Sequence, residues 1–270
     1  MRSKRFLFVS LFLLTALLSI GCFTIISGAK VSTMATSSKH AVSSENAASL
    51  KDAPDPASKP TASSTISADI QQAKAPSGKY YISMENILQR PELPTGCEAT
   101  ALTIALNSLG FKVNKCNIVD DYLPTTSEQD SLNTYFIGNP YSTSGLGCNA
   151  PVIVETANKY LLDANSKFEA KSITGSTPDQ LYKYVSQGIP VICWATIDMM
   201  ETQVSATWTA VDTRETVNFM KNEHCTVLVG YNTNNSTVTV NDPWSGIVTY
   251  SMSVFELRYH QLGSQAVIIT

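Results

Sequence analysis

Charge is scarce in this chain. Only 15% of its 270 residues are charged, and 19 Lys and Arg against 22 Asp and Glu leave a formal net charge of −3. Nucleic acid and acidic membranes are held by concentrated Lys and Arg, so this composition excludes a general attraction for either. Histidine is scarcer, with only His40, His224 and His260. No CxxC or HxxxH spacing occurs, which removes the usual zinc patterns, and no phosphate-cradling Gly-x4-Gly-Lys-Ser/Thr loop is present. No cofactor or metal is expected. Internal repeats are also absent. What is there is 43% hydrophobic residues, enough for a sizeable core in one large or two modest domains.

Three segments differ in composition. Residues 1–29 carry Arg2, Lys4 and Arg5 and no acid, followed by an uncharged run from Phe6 to Ile26. This is the pattern of an export signal, with Ser27-Gly28-Ala29 suited to cleavage after Ala29. The run has 21 residues, about 31 Å as a helix, so retention of 6–26 as a membrane anchor is an alternative. Lipidation of Cys22 is a third, although Ser19 stands where that motif wants an aliphatic residue. Residues 30–76 lack Phe, Tyr, Trp and Gly, while Ser, Thr, Ala and Pro fill 28 of 47 positions. Too little apolar surface is available there to offset ordering entropy, so the segment reads as a disordered tether. The acidity falls on residues 77–270, with a net charge of −7.

This third segment is expected to fold as an α+β domain with a largely antiparallel sheet. Thr95-Gly96-Cys97-Glu98 fits a capping box, with Thr95 as N-cap of a helix that stops at Gly110. Pro151–Leu162 and Pro178–Gln187 are further helix expectations. Strands are expected at Tyr80–Ile82, Ile189–Thr196, His224–Tyr231, Thr237–Val240, Ile247–Tyr250 and Ala266–Ile269.

Three residues carry chemistry. Cys97 falls in the first turn of its helix, where free N–H groups and the dipole favour a thiolate, with a pKa in the range of about 3.5–7.5 once a His⁺ is near. A small buried hydrophobe is the alternative for such a Cys. His224 opens a strand and is a candidate base, against the plain reading of a hydrogen-bonded imidazole. The turn cluster Asn232–Ser236 predicts a hairpin. If Tyr231 pairs with Thr237, Asp242 lies diagonally next to His224 on one sheet face, within reach of the ring. A slip of one residue would separate them, leaving Asp242 a turn-former before Pro243.

Four strings occur in order: Leu88-Gln89-x-Pro91-Glu92-Leu93-Pro94-Thr95-Gly96-Cys97-Glu98-Ala99-Thr100, Gly147-Cys148-Asn149-Ala150-Pro151-Val152, Glu223-His224-Cys225-Thr226-Val227-Leu228-Val229-Gly230-Tyr231, and Val240-Asn241-Asp242-Pro243-Trp244-Ser245-Gly246. Together they resemble the bacterial cysteine peptidases related to the double-glycine leader peptidases, family thirty-nine among cysteine peptidases, of papain-like fold. The resemblance covers nearly all of 80–270. It implies an N-terminal helical part carrying the Cys and a C-terminal sheet carrying His and Asp. It further implies Cys97 as nucleophile, His224 as general base and then acid, Asp242 as orienter of the imidazole, and Gln89 as oxyanion donor. The chain departs from leader peptidases in carrying an export signal and no transporter domain. The expected protein is therefore an exported or surface-tethered peptidase outside the bacterial membrane, acting on a peptide or protein. A peptidoglycan-cleaving Cys/His hydrolase and a non-catalytic surface-binding domain on the same fold are the alternatives, and a cell-wall peptide is a further candidate substrate.

Of the remaining cysteines, Cys116 and Cys148 lie in loop-like sequence and are the favoured disulfide pair. Cys193 and Cys225 read as core residues. Trp244 and Trp208 are candidates to line a cleft, and Trp194 is expected in the core.

Overall fold

The structure, a computed structural model, describes residues 74–270. The expected export segment 1–29 and the tether up to residue 73 lie outside the described residues. Ala75 already packs against the domain, and the Pro76 carbonyl accepts a hydrogen bond from the Tyr231 hydroxyl at 2.8 Å.

The centre of the domain is a seven-stranded antiparallel sheet. Its strands are β1 (Lys79–Tyr81), β4 (Ala170–Ser172), β5 (Val191–Thr196), β8 (Glu223–Asn232), β9 (Thr237–Asp242), β10 (Gly246–Ser251) and β11 (Ala266–Ile269). The order is β10-β9-β8-β5-β11-β4, with β1 also paired to β8. β5 and most of β8 are apolar and buried without interruption, the pattern of strands covered on both faces. Ile192, Trp194, Cys225 and Val227 face one core, whereas Val191, Cys193, Ala195 and Leu228 face another. The first core is closed by α1 (Cys97–Ser108), α2 (Lys115–Asp121) and α3 (Ala150–Asp163); the second by α4 (Pro178–Ser186) and α5 (Met252–Gln261). Every residue of α1 from Cys97 to Leu106 is buried, because the helix packs on β8 while α2 and α3 cover its other sides.

Two short sheets complete the domain. Strands β2 (Thr125–Thr126) and β3 (Phe136–Ile137) pair in parallel, and β6 (Val204–Thr209) forms a hairpin with β7 (Thr216–Met220). β7 alternates in the sequence, with Val217 and Phe219 buried, whereas no alternation marks β6 of this hairpin, Trp208 being its one buried residue. Helices α2 and α5 were equally silent, α5 burying only Phe255 and Tyr259. The other expected helices form, and α4 carries a complete Thr177–Gln180 capping box.

Two local expectations are corrected. Thr95 does not cap α1: the N-cap is Gly96 without a side-chain bond, and the Thr95 hydroxyl donates to the Ser142 carbonyl at 2.8 Å instead. Glu98 is thus the second residue of the helix and turns inward. No disulfide joins Cys116 to Cys148; both are free, Cys116 sitting on α2 and Cys148 buried beside Glu98.

The β8–β9 register is one residue off at the turn and right at the far end. Asn232, not Tyr231, pairs with Thr237, but between Leu228 and Gly230 the ladder shifts, so that Leu228 faces Val240 and Val227 faces Asn241. The extra residue is Val229, and such a bulge re-aims everything beyond it. It returns the strand to the pairing that puts Asp242 diagonally beside His224. Gly230 is required at the shift, since a Cβ there would lie 2.9 Å from the Tyr80 carbonyl oxygen on β1.

Candidate active site

His224 and Asp242 meet at the β8 and β9 ends, both 2% exposed, with Nε2 of the imidazole 2.7 Å from Asp242 Oδ1. The other ring nitrogen, Nδ1, is left for a third group. Asp242 Oδ1 also accepts the N–H groups of Trp244 at 2.6 Å and Ser245 at 3.3 Å. Burial by itself would raise this carboxyl, but His224 and these two backbone donors outweigh it and hold Asp242 below its ordinary value.

Cys97, the first residue of α1, lines the same cleft as His224. Gln89, Arg90, Trp244, Lys221 and Glu223 also line it. The Arg90 guanidinium stacks 3.7 Å above the Trp244 ring, and the Gln89 N–H donates to the Pro243 carbonyl at 2.7 Å. These contacts tie the segment before α1 to the loop after β9, so the two halves of the site are held together by backbone as well as by packing.

Two features differ from the expected machinery. The thiol of Cys97 is not pushed down but well up, first by burial and then by the charges of Glu98 and Glu223. A helix N-terminus cannot offset the loss of solvent around a side chain that is only 7% exposed. Its Sγ donates to Glu98 Oε2 at 3.2 Å. The Gln89 amide nitrogen donates to the carbonyls of Pro94 at 2.9 Å and Leu93 at 3.2 Å, while its Oε1 is buried without a partner among the described residues.

Sequence reasoning missed the role of Glu98 and Glu223. Each adjoins a residue of the site, Cys97-Glu98 and Glu223-His224, and is an acid at the edge of an apolar run, which was the available signal. Donor atoms of Cys97, Glu98 and Glu223 lie within 4.8 Å of one another. The Cys97 thiol and the Cys148 N–H donate to the two oxygens of Glu98, at 3.2 and 2.7 Å, so both of its oxygens are engaged within the protein.

A helix-borne cysteine set against a sheet-borne His–Asp pair is the architecture of the papain-like class, and the α+β expectation holds in that form. The model of the Peptidase_C39 like family matches residues 79–267, and the chain belongs to that family. The uncharacterized protein YvpB of Bacillus subtilis (strain 168) is 28% identical over 194 residues, covering 70% of this chain and 74% of YvpB. The crystal structure of a candidate C39-like peptidase from Bacillus anthracis superposes with a TM-score of 0.64 at 29% identity, over 71% of this chain and 97% of that one.

Proposed function

We propose that the protein is a cysteine peptidase in which Cys97 is the nucleophile, His224 the general base and then acid, Asp242 the orienter and Gln89 an oxyanion donor. One observation carries the reading: the 2.7 Å bond from Asp242 to Nε2 fixes the imidazole of a cleft that also contains Cys97, leaving Nδ1 free for the thiol proton. His224 Nδ1 takes that proton and the thiolate attacks a peptide carbonyl. The tetrahedral oxyanion is held by the Cys97 N–H at the start of α1 and by a Gln89 hydrogen released from its longer bond to Leu93. His224 protonates the leaving amine, and water then hydrolyses the thioester. The neutral, inward-turned thiol is the resting form, and apo sites of this kind commonly tighten only with substrate bound.

We further propose that the enzyme works outside the membrane, on the strength of the basic start and 21-residue apolar run of residues 1–29. Turnover of a peptide library by the purified protein, and its loss in Cys97→Ala, tests the first reading; failure of the wild type on every peptide would sink it. N-terminal sequencing of protein recovered from the medium tests the second, with Lys30 as the expected first residue. Recovery only from the cytosolic fraction would overturn it.

A further inference from the structure

Two cations line the cleft of Cys97 and His224 with nothing in the fold to neutralise them. Acids outnumber Lys and Arg by 18 to 11 over residues 77–270, so most cations of the domain have an acid to spare. Arg90 and Lys221 are both exposed in the cleft, and among the described residues neither side chain makes an ion pair or a hydrogen bond. The one acid of the lining, Glu223, brings its carboxyl beside Glu98 and Cys97 and pairs with neither of them.

Arg90 is held by an aromatic face instead of an acid. Its guanidinium stacks 3.7 Å from the centre of the Trp244 ring, a contact that orients the group and uses none of its five N–H donors. The platform beneath it is tied to the proposed His–Asp pair. The Trp244 N–H donates to Asp242 Oδ1 at 2.6 Å, and that same oxygen lies 2.7 Å from His224 Nε2. On the other side, the N–H of the adjoining Gln89 donates to the Pro243 carbonyl at 2.7 Å. An oriented donor fork therefore stands next to the reacting groups on backbone that hydrogen bonds fix. Lys221 arrives from the β7–β8 turn, its N–H donating to the Gln203 carbonyl at 2.9 Å, and offers a point charge without a fork.

A planar fork without an acceptor matches a carboxylate, which takes two parallel N–H bonds from it. The geometry points to Arg90 as the residue that selects a substrate carboxylate close to the scissile bond, with Lys221 adding positive charge from the turn. An Asp or Glu side chain and the C-terminus of a peptide present the same two oxygens, and both belong to this substrate class. The excess of acid elsewhere on the domain repels such a substrate at a distance, so the selection is made by local contact. The inference rests on the proposed peptidase reading, whose substrate class it narrows.

The experiment takes one peptide that the full-length protein cleaves, or binds if none is cleaved. It places Glu, Gln or Lys in turn at each position near the cut, with the C-terminus free or amidated. Wild type should favour Glu over Gln at one position, or the free over the amidated end, by about tenfold or more in kcat/KM. The first result assigns a side-chain carboxylate and the second a terminal one. Arg90→Gln should bring that ratio close to one, and Arg90→Glu should reverse it in favour of Lys. Lys221→Gln should lower it less than Arg90→Gln does. A ratio between two peptides cancels any general loss from disturbing the Trp244 stack. No carboxylate preference in wild type, a preference that survives in Arg90→Gln, or a greater dependence on Lys221 overturns the assignment. If an Arg90 variant cleaves no peptide, the ratio of dissociation constants on a Cys97→Ala background, by calorimetry, decides by the same criteria. Binding that depends on a carboxylate and on Arg90 in a protein that hydrolyses nothing would count against the peptidase reading and leave this site standing. Cleavage without the preference would do the reverse, and failure to bind or cleave any peptide would sink both.

Discussion

The helix side and the sheet side of this site treat the same functional group in opposite ways. On the sheet side Asp242 is 2% exposed and yet stays ionised, because an imidazole and two backbone N–H groups point at it. On the helix side Glu98 is buried to a similar degree and is pushed up, because burial outweighs the Cys148 N–H and the Cys97 thiol that donate to it. Burial opposes the charge on both and both accept backbone N–H groups; what differs is the side-chain partner, an imidazole on Asp242 and a thiol on Glu98. The lesson extends to Cys97, which sits at a helix start and is nevertheless held neutral by burial and by the acids beside it.

The most severe way to break the comparison is to remove the thiol. Cys97→Ala is expected to lower peptide turnover by about 10⁴-fold or more while leaving thermal unfolding near that of the wild type, since the side chain lies at the end of α1 and against the cleft. Retained turnover would place the chemistry elsewhere.

Next in size is the sheet side. Asp242→Ala leaves Nε2 of a buried imidazole without its acceptor and should cost most of kcat, whereas Asp242→Asn keeps an oxygen for the ring and should retain a measurable fraction. Equal kcat values for the two variants would show that the carboxylate does not orient His224. Gln89→Ala should follow, with kcat lower by roughly 10²–10³-fold, the usual loss for one oxyanion donor. If KM alone moved, Gln89 would be a wall of the cleft and nothing more.

The smallest effect sharpens the contrast directly. A carboxyl raised in the folded state opposes folding once the unfolded chain can ionise, so the stability lost to Glu223 grows as pH rises above its ordinary value of about 4.5. Asp242 is depressed, so its stabilisation is present above about 3.8 and is lost as pH falls through the folded value. Glu223→Gln should therefore gain in Tm at pH 8 relative to wild type and not at pH 4. Asp242→Asn should lose Tm at pH 8, with the deficit shrinking below pH 3. Calorimetry at the three pH values checks both; parallel trends would remove the asymmetry.

Much of this was legible in the sequence, because it depends on patterns short in range. Uninterrupted apolar runs gave β5, β8 and β11, and Pro at the start with Gly beyond the end gave α4. The placement of Asp242 beside His224 rests on a hairpin register that is one residue off at the turn; the bulge at Val229, next to a Gly230 that has no room for a Cβ against β1, brings the partners back into line. Short-range sequence pattern thus determined an α+β domain and singled out Cys97 and His224 as candidates for its chemistry. Tertiary structure alone decided that Glu98 abandons a capping role to lie under the thiol, that Glu223 joins it across Gly147, and that Cys148 is packed there and not paired with Cys116. Protonation and hydrogen-bond partners in a buried site depend on which groups meet across 50 to 125 residues of chain, and no local pattern encodes that meeting.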